Sequence, residues 1–321
     1  MKKNNYIALF ALVALAALVA SCGKFDKKTP AKSGDARVIC DESFRNILDQ
    51  EIDVFHYHYP DANIMVDYLG ETEAYDSLMN NKVDLIITSL DLTDSQKSFL
   101  KDKGRAYRSR MIAVDAVAII VNNSNAVEQL TMAELTDIMN GKHRAWDRYS
   151  TNRTGRDTIQ LVFDKNTSGI VHYMRTKFLK GKQFPFEVYS EESSEKVFKA
   201  VESHKNAIGF VGVSWVTSNM ESAAIDTQNS SDTITQSEFT NRIKVLKLRD
   251  YDSLVGYKPY QEHINSGDYP LVRPIYAIDA SPLGTLEHSL FVFLTSNDGQ
   301  KIILQTGIMP GNVPVRIVEV Q

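Results

Sequence analysis

From residue 38 onward, short β-branched runs alternate with stretches of helical period. Val38, Ile39 and Cys40 form an apolar, strand-like run. Phe44, Ile47, Leu48, Ile52 and Phe55 then recur at the spacing that puts side chains on one helix face, and Pro60 should close that helix. An apolar alternation over 64–68 leads into a helical stretch over 72–80, and Val83, Leu85, Ile86 and Ile87 read as a buried strand. This β-α-β-α-β order predicts an α/β fold, a mostly parallel sheet with helices on its faces. Thr93 with Gln96 and Thr131 with Glu134 fit the capping box, in which hydroxyl and later side chain satisfy each other's orphan amides. Gly104 and Gly141 sit where those helices should stop. Between them, 113–121 is a long apolar run with Asp115 inside it, a strand able to cross from one lobe to another, and 271–278 could bring the chain back. Residues 226–237 are polar and predict a surface loop, and no solenoid repeat is present.

The amino terminus changes this picture. Lys2 and Lys3 precede an apolar run over 6–20, about 15 residues, the length of a signal-peptide core rather than the roughly 20 that span a bilayer. The run ends in Leu18-Val19-Ala20-Ser21-Cys22-Gly23, which resembles a bacterial lipoprotein signal: small residues placed just before a cysteine. The expectation is a leader over 1–22, a lipid on Cys22 and a solvated tether over 23–36, rich in Lys, Gly, Pro and Ser. Lipidation of Cys22 leaves Cys40 without a disulfide partner, so Cys40 is expected to be a buried, unreactive thiol. The remaining length, roughly 300 residues, suits two domains that each bury an apolar centre. The formal charge of −4, more acidic by two once Lys2 and Lys3 are removed, argues against a nucleic-acid partner.

Several segments in order resemble the PstS-like phosphate-binding proteins of ABC importers, within the type II periplasmic-binding-protein superfamily and including its Bacteroidota-type lipoproteins. They are residues 83–93 with Ser89-Leu90-Asp91-Leu92-Thr93; 112–122 followed by Asn140-Gly141-Lys142 and Trp146; Asn166-Thr167-Ser168-Gly169; Asn206-Ala207-Ile208-Gly209-Phe210-Val211-Gly212; Tyr269-Pro270-Leu271-Val272-Arg273-Pro274; and Gly299-Gln300-Lys301-Ile302-Ile303. The resemblance implies two α/β lobes joined by two hinge strands, lobe I from 37–117 plus 273–321 and lobe II from 118–272. It implies capture of a small oxyanion, phosphate first, by a monomer that delivers it to importer membrane subunits, at the periplasmic face of the cell envelope and held to the membrane through Cys22. No bond is made or broken, so neither catalytic residues nor a cofactor are expected.

Oxyanion capture needs donors already aimed at one point, and a helix N-terminus supplies unpaired amides and a favourable dipole. Four strand-to-helix turns carry suitable residues: Ser43, Thr72, Ser89, and the run Asn166, Thr167, Ser168 and Gly169. Taken singly, each hydroxyl is equally an ordinary helix cap. The family pattern is broken where Ile170 replaces a Thr, where Asp164 stands for an Arg, and where Asp41 and Glu42 enter the first loop. Each carboxylate within a few ångströms of an anion costs on the order of 1 to 4 kcal/mol at surface-like dielectric. Lys165, Arg175 and Arg45 could restore positive potential. Two alternatives follow: Asp41, Glu42, Glu71 and Glu73 lining a cleft that holds a cation, or a membrane-tethered sensor or assembly component that binds a protein through the cleft or the 226–237 loop. His56 and His58, two apart, do not share a helix face and make a poor metal pair. No Gly-x-Ser-x-Gly elbow supports a hydrolase.

Overall fold

A computed structural model describes residues 31–149, 158–217 and 239–312; the leader, Cys22 and the 226–237 loop lie outside the described residues. Strand β1 (Gly34–Asp41) pairs in parallel with β2 (Ala62–Leu69) along its whole length, from Gly34 opposite Ala62 to Asp41 opposite Leu69. Its other edge pairs in parallel with β3 (Leu85–Thr88). The pleat sends alternate side chains to opposite faces, and both faces are covered. Ala36, Val38, Cys40, Leu85 and Ile87 join the main core, where helix α1 (Arg45–His58) buries Ile47, Leu48, Ile52 and Phe55. Ile39 and Ile86 face a second cluster built with Ala74 and Leu78 of α2 (Glu71–Met79) and Leu100 of α3 (Asp94–Asp102). The expected β-α-β-α-β unit is therefore present.

The long strand β4 (Arg108–Val121) belongs to two parts of the sheet. Its first portion pairs antiparallel with β11 (Val272–Asp279), from Arg108 opposite Asp279 to Ala116 opposite Val272. From Val117 it pairs antiparallel with β8 (Ala207–Gly212) instead. The path across the sheet is β2-β1-β3-β11-β4-β8-β6-β7, with β6 at Gln160–Phe163 and β7 at Tyr189–Ser190. Helices α4 (Met132–Met139), α5 (Gly169–Leu179) and α6 (Ser194–Ser203) accompany the β8-side strands. A separate parallel pair joins β5 (Gln129–Thr131) to β10 (Lys247–Arg249), and β9 (Lys244–Val245) pairs antiparallel with the end of β4.

Both capping boxes form, at Thr93 with Gln96 and at Thr131 with Glu134. Gly141 follows α4 with a φ of +71°, where an added Cβ would also lie 2.8 Å from the Phe186 ring, so the stop needs glycine for two reasons. One boundary differs from expectation. The chain enters the sheet at Gly34, inside the segment read as tether to residue 36, because β2 extends far enough to pair it and Ala36 is small and buried. Cys40 is a free, buried thiol, pushed well above the ordinary range by burial and then by Asp41, Asp49 and Glu42, as expected of an unreactive cysteine.

Candidate functional site

The carboxyl ends of β1, β3, β6 and β8 each feed a turn or helix, and such ends are where open α/β sheets place ligands. After β1 comes a 3-10 turn over Glu42–Phe44, after β3 comes Ser89, and after β6 the segment 164–168 leads into α5. Gly212 ends β8 close enough that a Cβ there would lie 2.9 Å from the Asp115 carboxylate.

These ends meet through carboxylates. Asp41 accepts from the Ser43 amide at 3.0 Å, from the Ser43 hydroxyl, and through Oδ2 from the Gly169 amide at 2.7 Å. Glu71 Oε1 accepts from the Ser89 amide at 2.8 Å, the Ser89 hydroxyl at 2.7 Å and the Leu90 amide at 3.2 Å. Glu42 Oε2 accepts from the Ser194 amide at 3.0 Å and its hydroxyl at 3.1 Å. Thr167 donates through Oγ1 to Glu73 at 3.1 Å, and its carbonyl accepts from the Glu71 amide at 2.9 Å. Ser168 caps α5, accepting from the Val171 amide at 3.2 Å while its hydroxyl donates to Asp164. Gly169 lets Ser89 and Asp41 approach, since a Cβ there would lie 2.9 Å from Ser89 Oγ.

Beneath this layer, two charges in the long strands pair with each other. Arg273 of β11 and Asp115 of β4 are 1% and 0% exposed and form a 2.9 Å ion pair. Arg273 also donates to Ser43 Oγ at 3.0 Å and lies over the Phe44 ring, 4.3 Å from its centroid. Asp115 further accepts from the Val213 amide at 3.2 Å. Among the described residues, buried Nη1 of Arg273, Oδ2 of Asp164 and Oε1 of Glu42 have no hydrogen-bond partner, although Arg45 Nε lies 3.8 Å from Glu42 Oε1.

Burial sets the electrostatics. It pushes Asp164 well above the usual carboxylate range, helped by the charge of Asp41 and opposed by the Ser168 bond. Glu71 rises for the same first reason, with Asp41 adding to it and Ser89 opposing. Glu42 is raised by burial against the Ser194 bonds, and Asp115 by burial in spite of Arg273. A carboxyl whose pKa is raised by burial takes up a proton at a higher pH than an exposed one, and once neutral it gains a donor.

The expected residues thus divide. Ser43, Ser89, Ser168 and Gly169 are buried together, Thr167 is half-buried beside them, and Thr72 and Asn166 are exposed. At the start of α2 it is Glu71, not Thr72, that turns inward, because the first residue of the helix follows directly from Gly70 at the strand end. Among the described residues no three His, Cys, Asp or Glu side chains form a group that could hold a metal ion, and Asp41, Glu71 and Glu42 are each turned to their own hydrogen-bond donors. Sequence reasoning missed Arg273 and Ser194. The signal for Arg273 was present, one charge of each sign inside the two long apolar strands.

The fold and several relatives match known proteins. The chain is 22% identical to the phosphate-binding protein PstS of Pseudomonas aeruginosa, over 91% of this chain and 87% of that one. It is 25% identical to the phosphate-binding protein PstS of Staphylococcus epidermidis, over 75% and 68%. Among solved structures, it resembles a candidate phosphate ABC transporter substrate-binding protein with bound phosphate from Clostridium perfringens, with a TM-score of 0.66, 19% identity, and coverage of 86% and 99%. An ABC-type phosphate transport receptor from Vibrio cholerae matches with a TM-score of 0.58, 20% identity, and coverage of 86% and 100%. These likenesses give the chain the mixed α/β fold of type II periplasmic binding proteins. With residues 27–295 matched by the model of the PBP superfamily domain, the chain belongs to the PBP superfamily.

Proposed function

We propose that this chain is a solute-binding protein that captures a small oxyanion, phosphate first, between two lobes and delivers it to an ABC importer. The observation that carries the reading is Arg273: a guanidinium 1% exposed, bonded to Ser43 Oγ, with Nη1 left unpartnered near the end of β1. A cation is buried at this depth only where something repays its desolvation, and Asp115 engages only one side of the fork. Ser43, Ser89, Ser168 and Gly169 form the inner ligand set, with Thr167, Thr72 and Asn166 at its rim. The names of the relatives make phosphate the first candidate.

Lobe I comprises 37–117 plus 273–321 and lobe II 118–272. The change of β4 partner between Ala116 and Val117, and the start of β11 at Val272, support those limits. β4 and β11 are the hinge strands. Capture and release, not catalysis, is the activity. The lipid on Cys22 holds the protein at the periplasmic face of a membrane, where importer subunits are its partners, and the tether sets its reach.

The test is calorimetric titration of ligand-stripped protein with phosphate, paired with thermal unfolding. A ligand at a hundredfold excess over Kd stabilises the folded form by about 2.7 kcal/mol. Neither heat nor a rise in Tm at millimolar phosphate would sink the phosphate assignment. Capture of protein partners other than importer subunits from native envelopes, with no anion binding, would favour the sensor or assembly role instead.

A further inference from the structure

We propose that the crevice is self-liganded: the Asp41 and Glu42 carboxylates hold the helix-terminal amides that an oxyanion would take, so capture proceeds by displacing them. Gly169 and Ser194 are the first residues of helices of 11 and 10 residues, and first-turn amides lack intrahelical partners and attract anions. Asp41 Oδ2 takes the first at 2.7 Å and Glu42 Oε2 the second at 3.0 Å.

Ordinary capping does not account for these bonds. Each helix already has a local cap, Ser168 accepting from the Val171 amide at 3.2 Å and Ser193 from the Lys196 amide at 3.3 Å. The carboxylates come instead from 128 and 152 positions away, out of the turn after β1. They reach helices that belong to the β8-side strands, across the point where β4 changes partner. The Glu71 amide to Thr167 carbonyl bond of 2.9 Å and the Thr167 to Glu73 bond of 3.1 Å run between the same two parts. A further observation points to a ligand beyond the carboxylates themselves. Arg273 Nη1 and Asp164 Oδ2 are buried, without a hydrogen-bond partner among the described residues, and left over by the clasp. An oxyanion that reaches this depth meets no protein partner on Arg273 Nη1 among the described residues, but must compete for the Gly169 N–H.

The displacement half of this proposal rests on the oxyanion reading; the clasp itself rests only on the bonds above. If the clasp holds the donors at least nine-tenths of the time, removing it raises apparent affinity about tenfold or more. The experiment compares wild type with Asp41→Ala, Asp41→Asn, Glu42→Ala and Glu42→Gln. Amide hydrogen exchange at Gly169 and Ser194 and phosphate titration are the readouts, and circular dichroism confirms folding.

In the clasp, Asp41→Ala loses protection at Gly169 and Glu42→Ala at Ser194 without ligand, and phosphate restores it while binding Asp41→Ala at least tenfold tighter than wild type. If an alanine variant does not fold, its isosteric partner is read instead, with a smaller effect in the same direction. Unchanged protection in the folded variants overturns the clasp whatever phosphate does. Lost protection with unchanged or weaker phosphate binding overturns displacement, since Asp41 is then a bystander or a ligand contact. Lost protection with no phosphate binding by any form, wild type included, leaves the clasp standing and removes the oxyanion reading.

Discussion

Replacing Arg273 by Met tests whether the buried ion pair organises the site. Arg273 and Asp115 are 1% and 0% exposed and 2.9 Å apart, and Arg273 also holds Ser43 Oγ at 3.0 Å. Met fills much of the same volume over Phe44 but leaves the Asp115 charge buried and unopposed. Removing one partner of such a pair costs about 3–5 kcal/mol, a large share of the 5–15 kcal/mol that typically separates folded from unfolded states. At about 2–4 °C per kcal/mol for a chain somewhat smaller than this one, the expected loss in Tm is on the order of 10 °C. Urea unfolding and calorimetry measure it.

The response to pH has a definite sign. Burial already raises the Asp115 pKa against the opposition of Arg273, and the variant removes that opposition. A carboxyl whose folded pKa is raised penalises the folded state increasingly as pH climbs from the unfolded value, about 3.9, through the folded one. The deficit of Arg273→Met should therefore be greatest near neutrality and shrink toward pH 4. Adding Asp115→Asn should recover a substantial part of it at pH 7. A Tm loss of only a degree or two, or a loss that Asp115→Asn leaves untouched, would refute the assignment of this pair as a coupled, desolvated unit.

Other residues give independent tests. Glu51 is 0% exposed, neither oxygen has a hydrogen-bond partner among the described residues, and it lines a cavity of about 10 Å³ with Phe44, Leu48 and Ile112. Burial raises its pKa well above the usual range, so its penalty grows as pH rises; Glu51→Met should increase Tm at pH 8 and flatten the fall in stability between pH 5 and 8, and a destabilised variant with the slope intact would count against this. Thr131→Ala removes the reciprocal capping bonds with Glu134 and should cost about 0.5–2 kcal/mol in urea unfolding. Cys40, buried and held as a thiol, should react with iodoacetamide only after denaturation, as read by peptide mapping; rapid labelling of the native protein would contradict its burial.

Local pattern carried much of the fold. The apolar face of α1, the two capping boxes and the parallel β1, β2 and β3 unit are short-range consequences of residue spacing and are present as expected. The Ser168-Gly169 turn was legible for the same reason, since a helix cap is written within a few residues. What the sequence could not settle was the direction of side chains at the strand ends. Thr72 and Glu71 are neighbours, yet the acid is buried and the hydroxyl exposed, a choice made by strand exit and by Ser89, 18 positions away from Glu71. Asp41 and Glu42 read as intruders in an anion site, while tertiary structure gives them amides from helices more than a hundred residues distant. Spacing along a chain determines which elements form, because their hydrogen bonds are largely local. Which charge meets which donor depends on contacts that exist only once both parts of the sheet have assembled.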